Sequence, residues 1–217
     1  MKKAVVLLSG GLDSATTLFY ARKKGYKVYC LIFDYNQRHK REIKSARRIA
    51  QEANCDYKVI KINLLWKGSA LLDKNISIPK LATSGIPVTY VPARNTIFLS
   101  FALSYAETIG ADQIFIGANA IDFSGYPDCR TPYYRVFNKL SKLATKVGVE
   151  NKSIRINTPL IKKTKREIVL LAKKLKVPFE LTWSCYKGGE KPCGVCDSCR
   201  LRAKGFTQAH TKDTLLG

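Results

Sequence analysis

Five apolar residues, Ala4-Val5-Val6-Leu7-Leu8, run directly into Ser9-Gly10-Gly11-Leu12-Asp13-Ser14, and a helical pattern follows. A short unbroken apolar run reads as a strand covered on both faces, which belongs in a parallel sheet rather than a half-exposed antiparallel one. The turn decides what the end of that strand can do. Glycines permit φ > 0 and bring backbone close to a ligand, and the amides of such a turn and of the helix behind it point at an anion. Ser9 and Ser14 add hydroxyls. Asp13 stands near the helix start, where the dipole favours a carboxylate and where a magnesium ion can be held. The segment has neither the lysine of G-x-x-x-x-G-K-[ST] nor the spacing of G-x-G-x-x-G, which sets aside the Walker ATPases and the dinucleotide-binding folds. A tight turn capped by Asp13 and Ser14 is the plain alternative. Position favours the phosphate cradle, because open α/β sheets bind ligands outside the carboxyl ends of their strands.

The rest of the chain alternates strand and helix. Residues 26–33 form a β-rich run, and residues 42–53 have helical spacing with Ile43, Ala46, Ile49, Ala50 and Ala53 on one face. Strands are expected at 57–62, 113–117 and 154–157, and helices at 96–109 and 130–147. Thr164-x-x-Glu167 is a capping box at the head of a further helix that ends near Leu175. Residues 64–91 follow neither period and contain Pro79, Gly85 and Pro87, which marks a long functional loop. Strands separated by helices imply an α/β fold with a doubly wound, mainly parallel sheet. An α/β domain over residues 1–180 and a small segment over 181–217 are the expected organisation.

That C-terminal division rests on cysteine. Cys185, Cys193, Cys196 and Cys199 crowd into one short stretch, whereas Cys30, Cys55 and Cys129 are scattered. Two disulfides in so short a segment would be strained. Four thiolates around a structural zinc ion fit the C-x-x-C-x-x-C run better, with Gly194 relieving crowding between ligands; an iron–sulfur cluster is the other reading. Lys and Arg number 38 against 16 Asp and Glu, a formal charge of +22, which raises nucleic acid as a partner. The basic residues are spread along the whole chain without an arginine-rich tail, so solvated helix faces explain them and no direct nucleic-acid contact is expected. No stretch is long and apolar enough to span a bilayer, and Met1-Lys2-Lys3 leads only into the first strand. A cytoplasmic protein without a membrane partner is the expectation.

Polar clusters fall after the strands. Asp34-Tyr35-Asn36-Gln37-Arg38-His39 offers an aspartate and an aromatic ring for the ribose or adenine of a nucleotide, with a helix-capping turn as the alternative. Arg94-Asn95 supplies a fork donor and a capping amide before a helix. Residues 117–130 hold two aspartates, two aromatics and an arginine in an irregular stretch. Acidic groups there suit the donor edge of a guanine-like ring, and Phe123 or Tyr126 suits its face. Lys162-Lys163 lies at the wrong end of a helix for cations unless an anion sits between them, which points to a polyphosphate.

The Ser9 to Ser14 segment resembles the S-G-G-x-D-S pyrophosphate loop of the N-type ATP pyrophosphatases. In order along the chain, that segment, Asp34 to His39, Val91 to Asn95, Ser124-Gly125-Tyr126-Pro127-Asp128-Cys129-Arg130 and Thr182-Trp183-Ser184-Cys185 through Cys199 resemble the 7-cyano-7-deazaguanine synthases within that superfamily. The likeness covers essentially the whole chain. Two departures stand out: the family usually has glycine where Asn36 stands, a residue that tolerates the left-handed conformation, and Thr131-Pro132-Tyr133-Tyr134 is less typical.

The resemblance implies a ligase that joins ammonia to 7-carboxy-7-deazaguanine at the expense of ATP, through an acyl adenylate and an amide, to give the nitrile. It implies ATP along Leu8, Ser9, Gly10, Gly11, Leu12, Asp13, Ser14, Ala15, Thr16, Thr17 and Leu18, with Asp34 nearby. Asp13, Ser14, Arg94 and Lys163 are then the catalytic candidates at the phosphates. Asp122, Tyr126, Asp128 and Arg130 are the candidates for the deazapurine, and Cys185, Cys193, Cys196 and Cys199 for zinc. Mg2+ accompanying ATP and a homodimer follow from the same resemblance. A tRNA-modifying enzyme sharing the loop and a zinc-stabilised binding module are the competing readings.

Overall fold

The computed structural model describes residues 1–79, 85–119 and 125–216. Its centre is a sheet of five parallel strands, β1 (Lys3–Leu7), β2 (Lys27–Asp34), β3 (Asp56–Lys61), β4 (Gln113–Ile116) and β5 (Arg155–Asn157), in the order β3-β2-β1-β4-β5. Strand order reverses between β1 and β4, so the carboxyl ends of these two strands open a crevice at the switch point.

Strand alternation builds two cores. Ala4, Val6 and Leu8 with Cys30 and Ile32 face one side, where α1 (Leu12–Lys23), α2 (Arg41–Glu52), α6 (Lys165–Lys174) and α7 (Asp197–Gln208) pack. Val5 and Leu7 with Leu31 and Phe33 face the other, under α3 (Arg94–Ile109) and α4 (Thr131–Ala144). Helices on both faces are why β1 is apolar and buried at every position from Ala4 to Leu7. Among the described residues no helix is long and apolar enough to cross a membrane.

Local chemistry explains the boundaries. The Thr164–Glu167 capping box forms in both directions, with the Glu167 amide donating to Thr164 Oγ1 at 3.3 Å and the Thr164 amide to Glu167 Oε2 at 2.8 Å. Asn36 has φ 62°, the left-handed turn that glycine usually makes. The helix expected to run unbroken over 130–147 instead stops at Ala144. Thr145 turns extended there and its hydroxyl accepts from the Gly148 amide at 3.1 Å, which starts the four-residue helix α5 (Lys146–Val149). Helix α7 shows no clear apolar period in the sequence, since the residues it buries are Cys199, Arg202, Gly205 and Phe206 rather than a regular apolar stripe. Residues 64–79 and 85–91 carry no helix or strand; Arg38 ties the first part down through the carbonyls of Ala70 and Ile76 at 3.1 and 2.9 Å.

Candidate functional site

The crevice above β1 and β4 is a cavity of about 300 Å³ whose floor is the loop after β1. Leu8, Ser9, Gly11, Leu12, Asp13 and Ser14 line it. Ser14 Oγ organises the loop: it accepts from the Ser9 amide at 3.2 Å and the Ser9 hydroxyl at 3.0 Å, and donates to the Gly11 carbonyl at 3.0 Å. Among the described residues no side chain caps α1, so the first-turn amides remain available to an anion. Gly10 serves packing instead. Its φ is +87°, and a Cβ there would lie 2.3 Å from the Glu42 carbonyl and 2.8 Å from the Ala46 amide, because α2 presses onto the loop.

Further along α1 the cavity is out of reach. Ala15 and Leu18 are buried in the core, and the Thr16 and Thr17 hydroxyls donate to the carbonyls of Leu12 and Asp13 at 2.7 and 2.9 Å. Both carboxylate oxygens of Asp13 accept from Lys165 Nζ at 2.8 Å. Lys165, rather than Lys163, is therefore the lysine at the loop; Lys163 does not line the cavity, and its carbonyl accepts from Asn119 Nδ2 at 2.6 Å. Gly205 of α7 makes room for the Lys165 stem, since a Cβ would stand 2.4 Å from its Cγ.

Arg94 enters from the start of α3, behind Ala93 in a left-handed conformation with φ 51°. This strain in a non-glycine residue sits beside the site it aims. Arg94 Nη1 donates to the Tyr35 hydroxyl at 3.1 Å, and the guanidinium lies 5.7 Å from that ring. Tyr126 also lines the cavity, and its hydroxyl is 2.8 Å from Thr89 Oγ1.

The other expected residues lie elsewhere. Asp34 is paired with Lys40 at 3.0 Å and does not face the cavity, where Tyr35 stands instead. Asp128 is buried, and its carboxylate accepts from the Asn95 amide at 3.0 Å, capping α3 and leaving it spent on structure. Arg130 is exposed and outside the cavity lining. Asp122 lies outside the described residues. Cys129 lines the cavity, but burial pushes its thiol up to about 11, so it stays protonated at neutral pH.

In the sequence Glu42 reads only as the opening of the amphipathic helix of residues 42–53, yet it stands in the first turn of α2 and lines the cavity. Burial pushes its carboxyl up to about 7, against the opposing pull of Arg94. The available signal was an acidic residue just after a loop-and-strand end in a strongly basic chain.

The C-terminal segment closes the site. Sγ atoms of Cys185, Cys193, Cys196 and Cys199 all lie within 4.8 Å of one another, and the amides of Cys193 and Cys196 donate to Cys185 and Cys193 sulfurs at 3.3 and 3.4 Å. Four convergent sulfurs with amide donors at two of them fit a closed, tetrahedral metal site. Gly194 acts there through its φ of +71°; a Cβ would meet open space, so relief of crowding is not its role. The segment is bound to the loop directly: the Trp183 amide donates to the Gly10 carbonyl at 2.8 Å, and the Arg41 guanidinium lies 4.8 Å over the Trp183 ring. Behind it, buried Arg202 holds both Asp213 oxygens at 2.6 and 2.8 Å and donates to Thr182 Oγ1 at 2.7 Å.

The family described as queuosine biosynthesis protein QueC matches residues 3–210. A curated 7-cyano-7-deazaguanine synthase from Thermoplasma volcanium is 55% identical over 218 residues, covering 99% of this chain and 90% of the relative. One from Nostoc sp. is 53% identical over 220 residues, covering 98% and 96%. The solved NMN synthetase of Francisella tularensis superposes with a TM-score of 0.51 at 14% identity, covering 96% of this chain and 87% of the other, a likeness of fold alone. The match takes in both the sheet that carries the loop and the segment that gathers the cysteines, and the chain belongs to the queuosine biosynthesis protein QueC family.

Proposed function

We propose that this protein is an ATP-dependent ligase that converts 7-carboxy-7-deazaguanine and ammonia to 7-cyano-7-deazaguanine. The observation that carries the reading is identity above one half, along nearly the full length, to relatives named for that product. The cavity suits the chemistry. The substrate carboxylate attacks the α phosphorus of ATP and pyrophosphate leaves; ammonia then displaces AMP to give the amide and releases a proton. The amide oxygen then attacks the α phosphorus of a second ATP and pyrophosphate leaves; departure of that oxygen with AMP and loss of the two amide N–H protons give the nitrile.

Such a reaction asks the chain to position groups, neutralise phosphates and exclude water. Ser9, Gly11, Asp13 and Ser14 are the proposed phosphate cradle, with Lys165 and Arg94 as its cations. The cradle relies on amides and hydroxyls, whose donors need no reorganisation as charge develops. Tyr126 is kept as a deazapurine contact. Mg2+ would arrive with ATP and shield its phosphates. Zinc is the metal proposed for Cys185, Cys193, Cys196 and Cys199; it would fasten residues 181–217 onto the 1–180 unit, a structural role consistent with a closed ligand set. A homodimer and a cytoplasmic location complete the proposal.

The tRNA-modifying alternative finds no support in the full-length matches. Its thiolating form requires a reactive thiol beside the nucleotide, whereas the Cys129 thiol is held protonated by burial; its lysidine-forming form requires no thiol and is separated by the product test below. Incubation of purified protein with ATP, Mg2+, ammonium and 7-carboxy-7-deazaguanine, followed by mass spectrometry, tests the reading. Amide and then nitrile are expected, with AMP and pyrophosphate. Failure to form either, with modification of added tRNA instead, overturns it.

A further inference from the structure

The cavity contains an acid with no assigned work. Glu42 lines it from the first turn of α2, and among the described residues no hydrogen bond or ion pair reaches its carboxylate. Burial dominates its environment and the Arg94 charge acts on it from a distance, without the two groups forming an ion pair. Arg94 in turn spends Nη1 on the Tyr35 hydroxyl and keeps its remaining donors. A carboxylate and a guanidinium that face one cavity, close enough to act on each other and not joined, leave room for a ligand that is a donor on one edge and an acceptor on the next. Tyr35, Tyr126, Trp183 and Tyr186 supply flat apolar walls around that space.

We infer that Glu42 is the specificity-determining residue for the deazaguanine ring, accepting from its ring N–H and exocyclic amino group, while Arg94 serves the adjacent oxygen edge. The inference rests on the proposed substrate class and deepens it. A guanine-type edge carries two neighbouring N–H donors, the complement of one carboxylate, and the hypoxanthine-type edge lacks one of them. The acid that the sequence places in the 122–128 stretch is not available for this among the described residues, because Asp128 is committed to the Asn95 amide. Unlike Asp128, Glu42 has no hydrogen-bond partner for its carboxylate among the described residues, and α2 packs against Gly10, which sets the Glu42 backbone beside the phosphate cradle. Binding the ring there would put its 7-substituent and the loop in one cavity. A half-buried carboxylate covered by a ligand that cannot pair with it also penalises that ligand.

The test compares 7-carboxy-7-deazaguanine with 7-carboxy-7-deazahypoxanthine, which lacks the exocyclic amine. Wild-type enzyme is expected to prefer the first by about 100-fold in kcat/KM, the scale of one or two charge-assisted hydrogen bonds. Glu42→Gln is expected to lose about 10- to 100-fold on the guanine compound and about threefold or less on the other, so that the preference collapses. Glu42→Asp, which keeps the charge, is expected to retain part of it. Calorimetric binding of 7-deazaguanine and 7-deazahypoxanthine to wild type and Glu42→Gln gives the same ratio without turnover. Equal losses on both compounds, or an unchanged preference, overturn the inference. If wild type forms no nitrile from either compound, the proposed function fails instead, and the two failures are thereby separate.

Discussion

Replacing Glu42 by glutamine is expected to stabilise the ligand-free protein, with a gain that grows with pH. The carboxyl ionises at about 7 in the fold, against 4.5 for its ordinary value, because burial disfavours its charge. Between those values the native state holds a proton that the unfolded chain has released. The unfolded state therefore binds fewer protons, and stability falls as pH rises through this window. Taken whole, the difference amounts to an upper limit of about 3 kcal/mol. Glu42 keeps some contact with solvent, which screens the charge and brings the expected cost to about 1–2 kcal/mol. The amide has no such cost at any pH. In urea or thermal unfolding without substrates, Glu42→Gln is expected to exceed wild type by about 1–2 kcal/mol at pH 8, or about 2–8 °C in Tm for a chain of this size, and by much less at pH 5. Loss of stability at pH 8, or a difference independent of pH, refutes the reasoning. A residue that weakens the empty protein and sharpens the loaded one is the pattern of a group retained for binding.

Gly10→Ala combines positive φ with a Cβ 2.3 Å from the Glu42 carbonyl, and is expected to cost about 3 kcal/mol or more. Gly194→Ala, strained in φ but in open space, is expected to cost about 1–2 kcal/mol; chemical unfolding of both orders them, and equal losses contradict the packing role of Gly10. Lys165→Met strands the Asp13 carboxylate, and pyrophosphate release is expected to fall by at least about tenfold, more than in Lys163→Ala; the reverse order returns Lys163 to the loop. Cys196→Ser is expected to lose bound metal by elemental analysis together with several degrees of Tm, and undiminished zinc removes that sulfur from the ligand set. Because burial holds the Cys129 thiol near 11, iodoacetamide at pH 7.5 is expected to leave it unmodified while the half-buried Cys55 reacts, and rapid alkylation of Cys129 seen by mass spectrometry counts against that environment.

Much of the fold was legible because its signals are local. The apolar run before Ser9, the periodic face of residues 42–53 and the Thr164 capping box each report their own element, and the parallel sheet follows from their alternation. Helix α7 escaped because its packing face is shared with sulfur ligands and Lys165 instead of a regular apolar stripe. The candidate site was legible in part. The loop from Ser9 to Ser14 and the four cysteines identify themselves by spacing, but individual polar residues do not say where they point. Asp34 and Asp128 have the right chemistry in the right stretches, and both are engaged elsewhere, by Lys40 and by the Asn95 amide.

The sequence by itself determined that a buried strand ends in a glycine turn at the head of a helix and that four cysteines crowd into residues 185–199, because both depend on residues within a few positions of one another. Only the tertiary structure decided which lysine meets Asp13, that Gly10 is a packing glycine under α2, and that Glu42 and Arg94 face one cavity unjoined. Those pairings cross 152 residues for Lys165 and Asp13 and otherwise join separate helices to one sheet edge. Their distances are set by how α2, α3, α6 and α7 pack on the sheet, and no local spacing carries that information.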